Sequence, residues 1–254
     1  MNVSFITGAS SGIGRSLARR IASEGHAVAL VARRKQLLDT LVDEIERANG
    51  RALAIECDVT DRGKVHQAVR KTEEILGPID RLVASAGGGE RTSIDPFEAA
   101  HIDRVVALNV VGTANCIEAI LPGMLERGVG HIVAISSLAA YRGLPGAAGY
   151  SAAKAALTNM MESLMIDLKP HGVSVTVILP GFVRTKPSSK KKRPVEMELE
   201  DATARIHRAI VVRKRRYAFP CILALAVGFG RMLPAALYER LLSGRGRKRK
   251  KGNK

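Results

Sequence analysis

The sequence predicts a single α/β domain organised around a doubly wound parallel sheet. Three observations carry that expectation. Short apolar runs recur through the first two thirds of the chain, a helix-period stretch separates each run from the next, and a glycine-rich turn joins the first run to the first helix. Strands that alternate with helices need crossover connections, which make the sheet parallel and cover both of its faces, so each strand reads as a nearly unbroken apolar run. The 254 residues, 46% of them hydrophobic, are enough to bury one such core.

Taken in order, the strands are expected at VSFI (from Val3), AVALVA (from Ala27), ALAIEC (from Ala52), RLVAS (from Arg81), HIVAIS (from His131) and VSVTVIL (from Val173). The helices between them are GRSLARRIASEG, KQLLDTLVDEIERANG, KVHQAVRKTEEIL, DRVVALNVVGTANCIEAILPGMLER and YSAAKAALTNMMESLMIDLK. Open sheets of this kind bind ligands beyond the carboxyl ends of their strands, so the residues at those ends are the candidate site.

After the first strand comes TGASSGIG, Thr7 to Gly14, with glycines at Gly8, Gly12 and Gly14. Glycine permits positive φ and close backbone approach, and a helix N-terminus offers free N–H groups to a pyrophosphate. The second strand ends in Arg33, Arg34 and Lys35. An adenosine ribose would reach that end, where a carboxylate suits a free 2′-hydroxyl and arginine suits a 2′-phosphate, so three cations favour NADP(H). Asp58, after the third strand, is placed to meet the adenine.

GYSAAK, Gly149 to Lys154, sets a phenol and an ammonium four residues apart. On a helix that spacing puts Tyr150 and Lys154 on one face. A cation about 4 Å from the phenol at an effective dielectric of ~20 would favour the phenolate by roughly 4 kcal/mol, about 3 pKa units. The expected result is a tyrosine able to give or take a proton near neutrality. Ser151, Ala152 and Ala153 leave room for a cofactor.

TGASSGIG, LNVVG, ISSLAAYRGLPGAAGYSAAK and PGFVRT, in that order and spacing over roughly residues 3 to 185, resemble the classical short-chain dehydrogenases/reductases. The resemblance implies a Rossmann-like single domain that transfers hydride between a nicotinamide and a carbonyl or alcohol. It assigns Tyr150 as general acid/base, Lys154 as the residue that tunes it and bonds the nicotinamide ribose, and Asn109 as part of a water-linked proton relay. Ser137, thirteen residues before Tyr150, would hold the substrate oxygen, with Ser136 as the alternative. The implied cofactor cradle comprises Gly8, Ser10, Ser11, Gly12, Ile13, Gly14, Arg33, Arg34, Asp58, Val59, Ala86, Gly87, Asn109, Tyr150, Lys154, Pro180, Gly181, Val183 and Thr185. One departure stands out: the family's Asn-Asn-Ala-Gly after strand four is Ala84-Ser85-Ala86-Gly87 here, so both asparagines are gone. No metal is implied. A homodimer or homotetramer would fit the family.

Charge divides the chain. Through Phe182 there are 19 basic and 19 acidic residues; from Val183 onward there are 21 and 5. The expected organisation is a catalytic core at 1–185, a basic substrate-loop and helix region at 186–216 with a helix from about Glu198, an apolar segment at 217–244, and a disordered polybasic tail at 245–254. The stretch from Phe219 to Phe229 has no charge, but a spanning helix needs about 20 apolar residues. Two readings stay open: a flap or dimer seam folded on the body, or a monotopic insertion in which flanking cations meet an anionic membrane. Some lipid- and sterol-active members of the family carry similar extensions, a resemblance that points to a small hydrophobic carbonyl or alcohol substrate. The tail has no aromatic residue for base stacking, which argues against nucleic acid. Cys57, Cys116 and Cys221 are widely spaced, with no disulfide framework or zinc pattern, and VSFIT is too short for a signal peptide core, so a cytoplasmic protein is expected, peripheral on the inner membrane face if the insertion reading holds. Two rival readings are a non-catalytic NADP(H)-binding regulator and a reductase relative whose tail binds nucleic acid.

Overall fold

A computed structural model describes residues 2–185 and 195–247, with side chains through residue 243. The KKKR run at 190–193 and residues 248–254 of the polybasic tail lie outside the described residues.

The first half follows strict alternation: β1 (Val3–Thr7), α1 (Gly12–Ser23), β2 (Ala27–Ala32), α2 (Lys35–Arg47), β3 (Arg51–Glu56), α3 (Arg62–Leu76) and β4 (Ile79–Ala84). Then come α4 (Ala99–Val106), a π-helical segment (Ala107–Val111), α5 (Gly112–Arg127), β5 (Gly130–Ile135), α6 (Ala148–Asp167) and β6 (Val173–Pro180). A two-residue ladder, β7 (Val183–Arg184) with β8 (Met197–Glu198), leads to α7 (Leu199–Val211), β9 (Arg216–Phe219), α8 (Cys221–Met232) and α9 (Ala235–Arg247). The main sheet has seven parallel strands in the order β3-β2-β1-β4-β5-β6-β9. Its direction of winding reverses between β1 and β4, which opens a crevice at their carboxyl ends.

Period-2 alternation divides the strand residues between two cores. Phe5, Ala29, Leu82 and Ile132 face α3, α5 and α6, where Val65, Ile117 and Leu157 meet them. Ile6, Leu30, Val83 and Val133 face α1, α2 and α7, meeting Leu17, Leu41 and Ile206. Both faces are therefore covered, as the apolar runs required.

Three features differ from the sequence expectation. The helix expected from Asp103 starts at Ala99 and is interrupted by the π-helical segment. This continuous stretch, Ala99 to Arg127, is long and apolar enough to cross a membrane by composition, but Val105, Cys116, Ile120 and Met124 are buried in the body. The sheet also draws a seventh strand, Arg216–Phe219, from beyond residue 185. Read alone, YAFPCILA is one apolar run; pairing with β6 makes its first part a strand, and Phe219 is fully buried. Helical backbone in α9 continues to Arg247, into the stretch expected to be a disordered tail.

Candidate active site

The loop from β1 to α1 is shaped by contacts that only glycine allows. Gly8 has φ +68°, and a Cβ there would lie 2.8 Å from the backbone of Ala86. A Cβ on Gly14 would lie 2.6 Å from the Gly8 carbonyl, so the start of α1 packs directly on the turn. The first turn of α1 carries no acidic residue and Ser11 makes no side-chain cap. Its N–H groups are left to face the crevice, a favourable place for an anion.

Arg34 closes this loop from the side. Its guanidinium donates to Ser10 Oγ at 2.8 and 3.2 Å and to Ser11 Oγ at 2.8 Å. Arg33 is exposed, with Nη1 3.7 Å from Asp58 Oδ2. Burial alone would raise the Asp58 carboxyl, but donors from the Thr60 backbone and hydroxyl, with Arg33 and Lys64, outweigh it and hold the group below its ordinary range. The end of β2 thus presents two guanidinium groups beside an ionised carboxylate.

The turn after β4 is tied to β1 by a threonine hydroxyl. Thr7 Oγ1, at the end of β1, accepts from the backbone N–H of Ser85 at 3.1 Å and of Ala86 at 3.0 Å. This tie holds the Ala84–Gly87 turn to the neighbouring strand without either asparagine.

Asn109 is fully buried within the π-helical segment, where its Nδ2 donates to the carbonyls of Gly88 and Val105, both at 2.8 Å. Its Oδ1 accepts from Gly88 N–H at 3.3 Å. π-helical turns within α-helices occur frequently at functional sites. A Cβ on Gly87 would meet Asn109 Oδ1 at 2.7 Å and Lys154 Nζ at 3.0 Å, so this glycine lets both groups approach.

Tyr150 and Lys154 project from α6 and Ser137 from the end of β5. Ser136 turns inward, its Oγ 2.7 Å from Thr158 Oγ1 and 3.1 Å from the Lys154 carbonyl, so it anchors α6. Ser137 Oγ accepts from the Ala139 N–H at 3.1 Å and lies beside Tyr150. Lys154 is buried and donates to the Ile135 carbonyl at 2.8 Å. With no carboxylate near, burial lowers its ammonium from the ordinary 10.5 to about 8. Tyr150 departs from the expectation of an acidified phenol. Burial pushes it up, and the neighbouring Ser137 hydroxyl offsets only part of that rise. The reason is geometric: the ammonium lies 5.8 Å from the ring centroid and is turned to the Ile135 carbonyl. At neutral pH the ligand-free site therefore holds a protonated phenol, the form that acts as an acid.

These parts share a cleft of about 460 Å³. It is lined by Gly8, Ser10, Ser11, Gly12, Ile13, Arg33, Arg34, Asp58, Val59, Ala86, Gly87, Ser137, Tyr150, Lys154, Pro180, Gly181, Val183 and Thr185. Thr185 leans over the glycine loop, 3.2 Å from where a Cβ on Gly12 would be. Gly14 and Asn109 stand behind the wall. The cleft also uses Val31, Cys57, Gly88, Leu108 and Ile135, which the sequence reading did not single out. Cys57, Leu108 and Ile135 could have been found as immediate neighbours of Asp58, Asn109 and Ser136; Val31 had no such signal.

A glycine cradle at the switch point of a parallel sheet, opening onto a Ser–Tyr–Lys group, defines an oxidoreductase that uses a nicotinamide dinucleotide. The family model described as short chain dehydrogenase matches residues 2–196, and the chain belongs to that family. An uncharacterized oxidoreductase of Myxococcus xanthus is 38% identical over 237 residues, 92% of this chain and 94% of its own. A fatty acyl-CoA reductase of Acinetobacter baylyi is 34% identical over 221 residues, 85% of this chain and 75% of its own. Among solved structures, a short-chain dehydrogenase from Streptomyces avermitilis superposes with a TM-score of 0.81 at 28% identity, covering 99% of each chain.

Proposed function

We propose that this chain is an NADP(H)-dependent carbonyl reductase, or the reverse alcohol dehydrogenase, acting on an apolar substrate. The observation that carries the reading is the convergence of Ser137, Tyr150 and Lys154 on the cleft that the Gly8–Gly14 loop and Arg34 enter from the other side. The cradle suits the dinucleotide. Its glycines leave the space a Cβ would fill, the α1 N-terminus faces the pyrophosphate position, and Arg33 and Arg34 offer donors to a 2′-phosphate. Gly181, Val183 and Thr185 would cover the nicotinamide side.

When bound, the reduced nicotinamide supplies a hydride to the carbonyl carbon. Tyr150 donates its phenolic proton to the carbonyl oxygen as that oxygen gains charge, and Ser137 donates a hydrogen bond to the same atom. The raised phenol favours this direction, since the proton is present at neutral pH. Lys154, already near 8, is held by burial at a proton affinity from which it can resupply Tyr150, with Asn109 fixing the Gly88 backbone behind it. A relative named as a fatty acyl-CoA reductase supports an apolar substrate.

The test is NADPH oxidation against long-chain ketones, sterol ketones and small polar carbonyls. Tyr150→Phe should bind NADPH normally and lose turnover on the order of 10²-fold or more. Undiminished turnover in that variant would remove Tyr150 from the chemistry.

A further inference from the structure

Helix α8 is apolar, yet none of its residues is buried. Ile222, Leu225, Phe229 and Met232 are 78%, 74%, 68% and 81% exposed. Their spacing of three, four and three residues aligns them along one side of the helix. The opposite side packs on the body: Leu223 and Ala224 join the core, and a Cβ on Gly181 would lie 2.8 Å from Leu223 Cδ2.

The helix is fixed in that posture. Arg142 Nη1 donates to the carbonyls of Gly230 and Leu233 at 2.7 and 2.8 Å, capping the end of α8. The same guanidinium lies 4.0 Å over the ring of Tyr238 in α9, whose hydroxyl donates to the Gly143 carbonyl at 2.7 Å. α8 therefore bridges the Gly181 loop and the Tyr141–Gly143 loop that leads into α6, and it holds its apolar stripe outward. α9 adds exposed Leu237 and Leu241, one turn apart.

A stripe this exposed loses free energy only when something covers it. Charge selects the cover. Between Asp201 and the end of the chain the sole acidic residue is Glu239, against fifteen basic residues. Arg231 lies in the last turn of α8 and Arg240 in α9, both exposed. A second copy docked by two-fold symmetry would set these cations against themselves. An anionic surface complements both the stripe and its surroundings.

We propose that the outer side of α8, with α9, docks on an anionic lipid bilayer. Twelve residues of helix extend about 18 Å, short of the ~30 Å hydrocarbon core, so α8 lies in the interface. Its apolar side enters the acyl boundary while the cations meet headgroups. Docking on α8 brings the Gly181 and Tyr141–Gly143 loops to the bilayer surface, so an apolar substrate can pass from lipid to the cleft; this last point rests on the reductase reading.

The experiment is co-sedimentation of the full chain with phosphatidylcholine vesicles, with and without phosphatidylglycerol. The chain should sediment with the anionic vesicles, in a salt-sensitive manner. The double variant Leu225→Glu, Phe229→Glu should reduce the bound fraction on the order of tenfold or more, with an unchanged melting temperature and unchanged turnover of a small water-soluble carbonyl. Absence of sedimentation with anionic vesicles overturns the proposal, as does undiminished binding by the variant. If the wild type stays in solution and the variant changes particle size by light scattering, the stripe is a seam between copies and bilayer docking is refuted. Sedimentation measures no turnover, so its outcome is independent of the reductase assignment.

Discussion

Replacing Lys154 with methionine should make the ligand-free protein harder to melt at neutral pH while abolishing turnover. Lys154 is 4% exposed, has no carboxylate partner, and is held at about 8 instead of 10.5. At roughly 1.4 kcal/mol per unit, that drop corresponds to about 3 kcal/mol lost by keeping an ammonium there at pH 7. Methionine has nearly the same shape and no charge. The substitution also leaves the Ile135 carbonyl without its donor, which costs about 1–2 kcal/mol. The remainder, about 1–2 kcal/mol, should raise Tm by roughly 3–6 °C. The pH dependence is the sharper signature. Between pH 8 and pH 10.5 the folded lysine has released its proton while the unfolded chain retains it, so wild-type stability rises with pH across that window. The variant has no such group, and its advantage should vanish by about pH 10.5. Thermal melts at pH 7 and pH 10.5 decide the matter. A variant that melts lower than wild type at pH 7, or whose advantage is the same at both pH values, refutes the idea that this buried ammonium is a strained group maintained for chemistry.

Arg33→Asp should weaken NADPH binding about tenfold or more relative to NADH, because it sets a carboxylate where a 2′-phosphate would lie; equal losses in fluorescence titrations would end the phosphate argument. Gly8→Ala forces an alanine into φ +68° and 2.8 Å from the Ala86 backbone; it should cost about 2 kcal/mol or more, lowering Tm in a melt and weakening dinucleotide binding. Burial with Arg81 and Arg213 nearby lowers His131 from 6.5 to about 3, so the unfolded chain takes up a proton that the folded one refuses. Stability should fall by about 2 kcal/mol between pH 7 and pH 5 on that account, and urea melts of His131→Gln, which keeps a polar partner for Thr176, should show a smaller loss.

Sequence alone determined what neighbours along the chain can determine. Alternating apolar runs set six of the seven main strands, the glycines of TGASSGIG marked the cradle, and the four-residue interval placed Tyr150 and Lys154 on one face of α6. Each of these follows from local backbone geometry. Tertiary structure decided the rest. Thr7 ties down the Ala84–Gly87 turn because a residue 78 positions from Ser85 in sequence lies beside it in the sheet. RYAF becomes a strand because β6 offers it an edge. Asn109 came from a resemblance, but its burial in a π-helical segment depends on how α4 and α5 pack. The direction of the Tyr150 shift was invisible in GYSAAK, since it depends on which carbonyl captures the ammonium and how much water the fold excludes. Proton affinity and long-range pairing are set by atoms brought together across the chain, and no spacing rule contains them.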